Sequence, residues 1–535
     1  MNKKYFISCL LALALLGSAC NDFLDVVPDD RVELATEKKL NQLLAGSYPR
    51  RMPYVYAEYM SDNHDHKIEP ITLDYYYLWL EEAYLWKDVK DESGNDDPKD
   101  YWAAAYSSIG AANQIIQSIQ EQGDPAEFLA LKGEALLLRA FNHFLLVNIY
   151  GKHYCEATAE NDMGIVYIES TETELNPHYE RISVAEVYRK INADIEEGLP
   201  LIKDEIYTYP KYRFNRQASL AFAVRFNAYY GNYDKVIGYA NQLFGADPEP
   251  LMRNKQAFPL LTRDFGIFTQ QFNSLGENAN FLIVTPVSTG GNLMGNSSRG
   301  KLYMPSLFIA NHETIRSNGP WGTYNSSVPY TFNIHSSFYS GTSGNYVAMP
   351  VIYQKMEVTN PVAGTGVNHC SIVAFWTEET LLCRAEAYIV KGEYDKATAD
   401  LALWMKYQVN PSRYATPLTR DQINTYYSGL AYYEPDKPTP KKELNPLNFE
   451  LEKGGEQENF MHCLLHFRRI ETMHLGLRWF DVKRFGIEIY RRDIKPSGSS
   501  DEFVKSTDFL LLNDPRRAAQ IPPDVISAGM TPTPR

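Results

Sequence analysis

Cysteine is scarce in this chain, and its few copies form no motif. Six cysteines occur among 535 residues, and no two are arranged as Cys-x-x-Cys. A zinc site needs closely spaced pairs and a disulfide scaffold needs many cysteines in a short chain, so the pattern supports neither. Apart from Cys9 and Cys20, the cysteines are Cys155, Cys370, Cys383 and Cys463. The sequence leaves two alternatives for these four: one structural disulfide, or four buried free thiols.

Positive charge is also in short supply. Lys and Arg number 52 against 66 Asp and Glu, which gives a formal net charge of −14 at pH 7. Nucleic acids and anionic membrane faces attract basic surfaces, so this balance argues against both as partners. A second apolar run of membrane length is missing as well, because about twenty apolar residues are needed to span a bilayer. We therefore expect a water-soluble body.

The N-terminus carries an export signal. Lys3 and Lys4 precede an apolar stretch from Tyr5 to Leu16, and Gly17, Ser18 and Ala19 supply the small residues before a signal-peptidase cut.

Cys20 directly after these residues resembles the lipidated first residue of a bacterial lipoprotein. The usual leucine three positions before the cysteine is replaced by Gly17, with Leu16 one position earlier. We predict a signal peptide over residues 1–19 and a mature body from 20 to 535, anchored through lipid on Cys20. The alternative is an ordinary secretory signal followed by a chance cysteine.

The pattern of apolar residues predicts a mainly α-helical body. Residues 101–121 repeat with a helical period, and residues 126–149 are apolar nearly all round, which is typical of a buried helix. Ser183 and Glu186 form a capping-box start for a helix through Glu197, and another helix is expected at about 216–230.

An internal similarity points to tetratricopeptide-like units. Residues 226–240 read FNAYYGNYDKVIGYA and residues 385–399 read AEAYIVKGEYDKATA. In each segment the first helix ends near a glycine, and a Tyr-Asp-Lys sequence begins the second helix. This pattern is typical of the packed helix pairs of tetratricopeptide-like repeats. We expect a helical scaffold over about 30–250 and 370–410, and a C-terminal block over about 461–535 that begins with a helical run to about 485.

Two regions differ from the helical scaffold in amino-acid composition. Residues of about 250–370 and 410–460 are rich in loops, and the first contains glycine-, serine- and asparagine-rich stretches with interspersed aromatic residues. Disordered tracts lack aromatics, so ordered loops with few short strands are predicted there.

Six motifs in order resemble the SusD/RagB family of nutrient-binding outer-membrane lipoproteins of Bacteroidota. They are CNDFLDVVP, WAAAYSSIGAANQII, LKGEALLLRAFNHFLLVNIYG, EAYIVKGEYDKA, LRWFDVKRFG and IPPDVI. Near LRWFDVKRFG this chain has Phe467 and Leu475 where the family pattern has glutamates, which calls one buried ion pair into question. The family's other residues of that block are kept: Arg468, Glu471, Gly476, Arg478, Asp481 and Arg484.

The resemblance implies a tetratricopeptide-like scaffold with a loop-rich ligand face, in a protein that caps a SusC-like TonB-dependent transporter. It also implies that Asp22 and Asp25 belong to a surface-export signal, so that the body faces the cell exterior. The expected role is capture of a glycan or a peptide for the transporter.

The aromatic residues of the loops are the first candidates for ligand contact, because flat rings stack on sugar C–H faces. Trp321 leads because its Gly-Pro and Gly-Thr neighbours predict an exposed turn. The alternative is that these rings fill the core beneath the loops. The other candidates are Tyr324, Tyr330, Tyr339 and Tyr346, with Tyr76 and Trp79 as a second cluster that could equally form a buried helix edge.

Several polar clusters are interpreted as structural. The acidic loop Asp91–Asp97 lacks the closing glutamate of a calcium loop and is expected to be a solvated turn. His64 and His66 are expected in a polar turn without a metal. Glu134 with Arg139, and Arg478 with Asp481 and Arg484, are expected to form buried or half-buried ion pairs.

We expect no cofactor, no metal and no catalytic residue. A surface glycoside hydrolase is the alternative class, but hydrolysis needs two carboxylates, and the aromatic loop from Gly319 to Tyr346 has no Asp or Glu. A tetratricopeptide scaffold that binds only protein is a third possibility. The ligand itself, which particular glycan or peptide, is not specified by the sequence.

Overall fold

A computed structural model describes ten stretches of the chain. They are residues 36–68, 77–90, 93–172, 178–255, 265–294, 302–323, 337–339, 346–409, 417–497 and 500–535. Cys20, Asp22, Asp25, Tyr76, Tyr324 and Tyr330 lie outside these stretches.

Helices dominate the described residues and strands are few and mostly short, as the sequence predicts. The helices are α1 (Glu37–Gly46), α2 (Tyr54–Met60), α3 (Leu78–Tyr84), α4 (Pro98–Glu121), α5 (Leu129–Tyr150), α6 (Val184–Gly198), α7 (Arg216–Tyr230), α8 (Tyr233–Phe244), α9 (Phe265–Phe272), α10 (Gly290–Met294), α11 (Leu307–His312), α12 (Thr377–Val390), α13 (Tyr394–Gln408), α14 (Arg420–Gly429), α15 (Glu456–Glu471), α16 (Leu477–Arg484) and α17 (Pro523–Ser527). The strands are β1 (Asp65–Lys67), β2 (Asn280–Val284), β3 (Tyr303–Met304), β4 (Ser337–Tyr339), β5 (Tyr346–Ala348), β6 (Tyr353–Asn360), β7 (Thr365–Trp376), β8 (Ile489–Ser497) and β9 (Ser500–Leu510).

Side chains cap the starts of two long helices, and the start at Ser183 is one that the sequence predicts. Asp97 accepts hydrogen bonds from the backbone N–H groups of Lys99 and Asp100, both at 3.0 Å, and Pro98 occupies the first turn of α4. The Ser183 hydroxyl accepts a hydrogen bond from the N–H of Glu186 at the start of α6. α5 is buried over nearly its whole length, as its apolar surface predicts.

The two similar sequence segments form matching helix pairs. α7 and α8 are joined through Gly231, and α12 and α13 are joined by a short turn after Val390. Gly231 has a φ of +83°, a left-handed conformation that costs glycine little. α12 packs against α7, α8 and α15, so the second pair stacks on the first. The tetratricopeptide-like architecture is confirmed.

Two sheets lie beside the helices. One has the order β3-β1-β8-β9, with β1 and β8 parallel and its other neighbours antiparallel. The other is antiparallel with the order β2-β7-β6. A separate ladder pairs β4 with β5.

A buried network of seven charged side chains, here called the central charge cluster, connects distant parts of the chain. The Asp62 carboxylate binds Arg478 at 2.7 and 2.9 Å and Lys442 at 2.7 Å. Glu313 accepts hydrogen bonds from Arg469 at 2.6 Å and Arg492 at 3.0 Å. The cluster comprises Asp62, Asp65, Glu313, Lys442, Arg469, Arg478 and Arg492, all of them buried.

The predicted pairing of Glu134 with Arg139 is wrong. Glu134 binds Arg213 at 2.6 and 2.8 Å, and Arg139 binds Asp194 at 2.6 and 2.8 Å. Residues five apart on a helix point in different directions, so each charge pairs with another segment.

Arg478 binds Asp62 and not Asp481, whereas Asp481 pairs with Arg484 at 3.2 Å as expected and also with Arg468 at 3.0 Å. Phe467, which replaces a glutamate of the family pattern, stacks on Trp404 with ring centroids 4.3 Å apart. Apolar packing therefore occupies that position in this chain.

The described cysteines settle the open alternative of the sequence. Cys155, Cys370, Cys383 and Cys463 are free thiols, and all but Cys155 are buried. The predicted helical run at 461–485 consists of two helices, α15 and α16, separated by a turn that ends at Gly476.

Removing the carboxylate of Asp62 should destabilise the fold strongly. Asp62→Ala leaves the buried charge of Arg478 without its carboxylate and leaves Lys442 with Glu313 alone, so we expect a loss of about 3–5 kcal/mol in the free energy of unfolding. Glu434→Ala is the matched control, since that carboxylate lies 3.6 Å from Lys437 at the exposed surface and should cost less than about 1 kcal/mol. Chemical denaturation would measure both, and equal losses would contradict the importance of the cluster.

The cluster also predicts how stability depends on pH. Burial alone would raise the pKa of Asp62, but the positive charges of Arg469, Arg478 and Lys442 hold that pKa well below its usual range. Glu313 behaves in the same way, with a pKa lowered by Lys442, Arg469 and Arg492 against the effect of burial. Carboxyls with lowered pKa values stabilise the fold above their unfolded values of about 4, and that contribution is lost as pH falls further.

We therefore expect the thermal midpoint to fall steeply below about pH 4. Glu313→Gln should show a shallower dependence over the same range, because one of the responsible carboxyls is gone. Glu434→Gln serves as the exposed control and should keep the wild-type slope. Identical slopes for all three proteins would show that the cluster does not govern the acid response.

Candidate ligand-binding face

The leading candidate, Trp321, is buried, so the prediction of an exposed turn is wrong at the side chain. Trp321 is 2% exposed, and its ring lies 5.1 Å from that of His466 and 5.6 Å from that of Phe467. The backbone does turn here, with paired hydrogen bonds between Gly319 and Gly322 of 3.1 and 2.8 Å. A Cβ on Gly319 would lie 2.3 Å from the indole, so glycine lets the ring fold back into the core.

Trp79 is also buried, at 0% exposure, which agrees with the alternative of a buried helix edge. Tyr339 and Tyr346 are paired across the β4–β5 ladder, and the structure describes only their backbone. None of the aromatic candidates whose side chain is described is therefore exposed.

Two segments of the chain meet above Trp79. The ring of Tyr77 lies 6.3 Å from that of Trp79, and a Cβ on Gly94 would approach the Trp79 indole nitrogen to 3.3 Å. The chain then reaches Asp96, whose carboxylate accepts hydrogen bonds from the Ser288 hydroxyl at 2.5 Å and from the N–H and hydroxyl of Thr289, both at 2.8 Å. Asp96 thus joins the 93–97 loop to the 285–294 segment.

A third segment continues the same surface. The N–H of Asn292 donates a 2.9 Å hydrogen bond to the Oε1 atom of Gln354, near the start of strand β6. The buried thiol of Cys370 on β7 lies 3.5 Å from the carbonyl oxygen of Ser288 and contacts the 285–294 segment there. We call the resulting surface the loop face. It is defined by Tyr77, Leu78, Thr289, Asn292 and Gln354, all of them half-buried or exposed.

The electrostatics of the loop face favour a neutral ligand. Asp96 is 4% exposed, and burial raises the pKa of its carboxyl above the ordinary value. Its two oxygens already accept three hydrogen bonds, so it holds the loops together. The accessible polar groups are the hydroxyl oxygen of Thr289, which donates to Asp96 and can still accept, and the side-chain amides of Asn292 and Gln354, all of them without a net charge.

The acidic loop at 91–97 differs from its sequence-based interpretation. Asp96 and Asp97 are both buried, so this part of the loop is not a solvated turn. His66 pairs with Asp493 at 2.7 Å, and His64 stacks on Tyr59 with centroids 4.3 Å apart. Within the stretches that the structure describes, no three His, Cys, Asp or Glu side chains are grouped as metal ligands.

Among the described helices, none is both long enough and apolar enough to cross a membrane.

Comparison with known proteins agrees with the fold. Residues 22–228 match a SusD-like family model described as "Starch-binding associating with outer membrane". A SusD superfamily protein of Bacteroides thetaiotaomicron is 14% identical with a TM-score of 0.61, covering 93% of this chain and 99% of its own. A SusD superfamily protein of Bacteroides vulgatus is 18% identical with a TM-score of 0.57, covering 92% and 97%.

A SusD-like carbohydrate binding protein of Bacteroides vulgatus is 15% identical with a TM-score of 0.54, covering 92% of this chain and 96% of its own. None of the curated protein sequences matches significantly. Residues 22–228 therefore resemble SusD-like proteins in sequence, and the chain shares its fold with the solved SusD superfamily structures.

Replacing Trp321 should reduce stability, which reverses the expectation for an exposed ligand-binding ring. Trp321→Ala removes a ring packed against His466 and Phe467, so we expect a loss of about 3–5 kcal/mol in the free energy of unfolding. Leu78→Ala is the control, because Leu78 is 47% exposed and should change stability by less than about 0.5 kcal/mol. Denaturant titration measures both. Wild-type stability for Trp321→Ala would contradict the buried position.

Proposed function

We propose that this protein binds a neutral glycan at the loop face. The observation that carries the proposal is the junction made by Asp96, which fixes the 93–97 loop, where Gly94 lies against Tyr77, to the segment that presents the polar groups of Thr289 and Asn292. Aromatic rings next to uncharged hydrogen-bonding groups suit sugar recognition. The description of the matching family model as starch-binding, and of one structural neighbour as carbohydrate binding, supports the same ligand class.

The loop face serves binding and not catalysis in this proposal. Hydrolysis of a glycosidic bond needs two carboxylates that flank the scissile bond. The carboxylate of Asp96 is engaged by Ser288 and Thr289 and lies beneath the surface. A bound glycan would meet hydroxyl and amide groups there. A peptide remains the alternative ligand of the same face.

The proposal extends to the place of the protein in the cell. The signal at 1–19 and Cys20 support a lipid-anchored protein at the outer membrane, and the association of the family with that membrane agrees. We propose that the body faces the exterior and passes its glycan to a SusC-like TonB-dependent transporter. No nucleic acid is part of this role.

Binding is tested by isothermal titration calorimetry with neutral oligosaccharides, namely maltoheptaose, xylohexaose and mannohexaose. We expect at least one to bind, and the double variant Tyr77→Ala/Asn292→Ala to weaken that binding about tenfold or more. The control is Tyr209→Ala, since Tyr209 is 62% exposed and lies outside the loop face. Unchanged affinity in the folded double variant would remove the loop face from the site, and release of shorter sugars would indicate an enzyme.

The anchor is tested separately by cell fractionation. Cys20→Ser removes the thiol that would carry lipid, so the protein should leave the membrane fraction and appear as soluble protein. A Cys155→Ser variant is the matched control, because Cys155 lies in the body, and it should stay with the membrane. Membrane attachment of Cys20→Ser would refute lipidation at this residue.

A further inference from the structure

A second cleft, of about 900 Å³, lies among the helix pairs and shares no residue with the loop face. Its walls come from four segments that are far apart in sequence: the loop after α5, the α7–α8 turn, the end of α12, and residues 447–448. Clefts that bind small ligands usually measure about 300–1,000 Å³. The residues that line the cleft include Tyr154, Ala157, Tyr230, Asp234, Lys391 and Asn448.

Tyrosine rings form one wall of this cleft. Tyr154 and Tyr230 meet edge to face with ring centroids 4.8 Å apart, and both stand on the buried ring of Tyr188, at 5.0 and 5.6 Å. Tyr154 and Tyr230 are half-buried, so part of each ring remains accessible. Among the residues that the structure describes, neither hydroxyl has a hydrogen-bond partner. Two donors are therefore available to a ligand.

The rest of the lining is polar and of mixed charge. Asp234 and Lys391 form an ion pair of 2.5 Å at the rim, where Glu156 is also exposed. A cleft with both signs of charge does not select an anion, and its polar rim does not suit a purely apolar ligand. Hydroxyl-rich neutral molecules match rings combined with donors and acceptors.

The floor of the cleft is fixed before any ligand arrives. The side-chain amide of Asn448 donates a 2.9 Å hydrogen bond to the carbonyl oxygen of Tyr229. A Cβ on Gly231 would lie 3.1 Å from the Cβ of Asn448, so the helix turn rests directly on this side chain. Preorganised walls lower the entropy that binding costs.

We propose that this cleft is a second binding site for a neutral oligosaccharide, separate from the loop face. The proposal rests on the proposed function, in that it assigns the same ligand class to another part of the molecule. Tyr154 and Tyr230 supply stacking surface and hydroxyl groups, and the ion pair of Asp234 and Lys391 supplies hydrogen bonds at the rim. Two sites on one body would hold a long glycan at two points.

The test uses hydrogen–deuterium exchange of the mature protein with maltoheptaose, xylohexaose and mannohexaose. We expect a bound sugar to protect peptides covering 152–158 and 230–235 as well as those covering 77–90 and 285–294. Ala157→Trp fills the cleft from an exposed position and should abolish protection at the first pair of peptides while the second pair keeps it. Tyr154→Phe/Tyr230→Phe keeps the rings, removes both hydroxyls, and should weaken binding at the cleft about fivefold or more. Tyr209→Phe is the matched control and should bind as the wild type does.

The outcomes separate the two proposals. Protection of 77–90 and 285–294 alone would overturn the second site and leave the proposed function standing. Protection of 152–158 and 230–235 alone would support the cleft and remove the loop face. A mixture of tri- to pentapeptides that protects the cleft where sugars do not would overturn the glycan as its ligand. Binding of no sugar at either place would overturn both proposals.

Discussion

The ionic contacts of Asp62 and Glu313 hold together parts of the chain that no single helix or strand connects. Asp62 follows α2, Glu313 follows α11, and their cationic partners come from the 442 region, from α15 and α16, and from β8. Four cations surround three carboxylates away from solvent, so removing a carboxylate leaves buried positive charge without compensation. The network forms only when its segments are arranged in this one way. It therefore fixes the helical region and the loop-rich regions relative to each other.

The two surfaces proposed for binding depend on that scaffold in different ways. In the loop face the Asp96 carboxylate joins a loop before α4 to the segment that follows β2. The walls of the second cleft are the ends of packed helices, joined at the rim by the ion pair of Asp234 with Lys391. A surface made of loops can change its residues without disturbing the core, whereas the cleft among the helix pairs is constrained by packing.

Much of the scaffold could be predicted from sequence, because helix periods and caps are local signals. The helix expected at 216–230 coincides with α7, and Ser183 begins α6 as a capping residue should. The side-chain partners could not be predicted in the same way. Glu134 lies five residues from Arg139 but binds Arg213, since burial brings in another segment that periodicity does not identify.

The candidate site shows the same limit. The glycines around Trp321 correctly indicated a turn, but a turn without side chains also lets a large ring fold inward against His466. Asp96 was missed because an acidic run is usually solvated, and its partners Ser288 and Thr289 are nearly 200 residues away. Nothing in the local pattern of either segment signals the other.

The distance along the chain between Asp62 and Arg478, 416 residues, has a consequence for when this protein can fold. Asp62 is made long before Arg478, because 416 residues separate them. Arg535 makes a contact of similar range, since it donates a 2.8 Å hydrogen bond to the carbonyl oxygen of Trp86, 449 residues away. Contacts of such long range form slowly because a large loop must close first. The buried charges around Asp62 therefore cannot be fully paired until the segment that contains Arg478 has been made and has closed onto them.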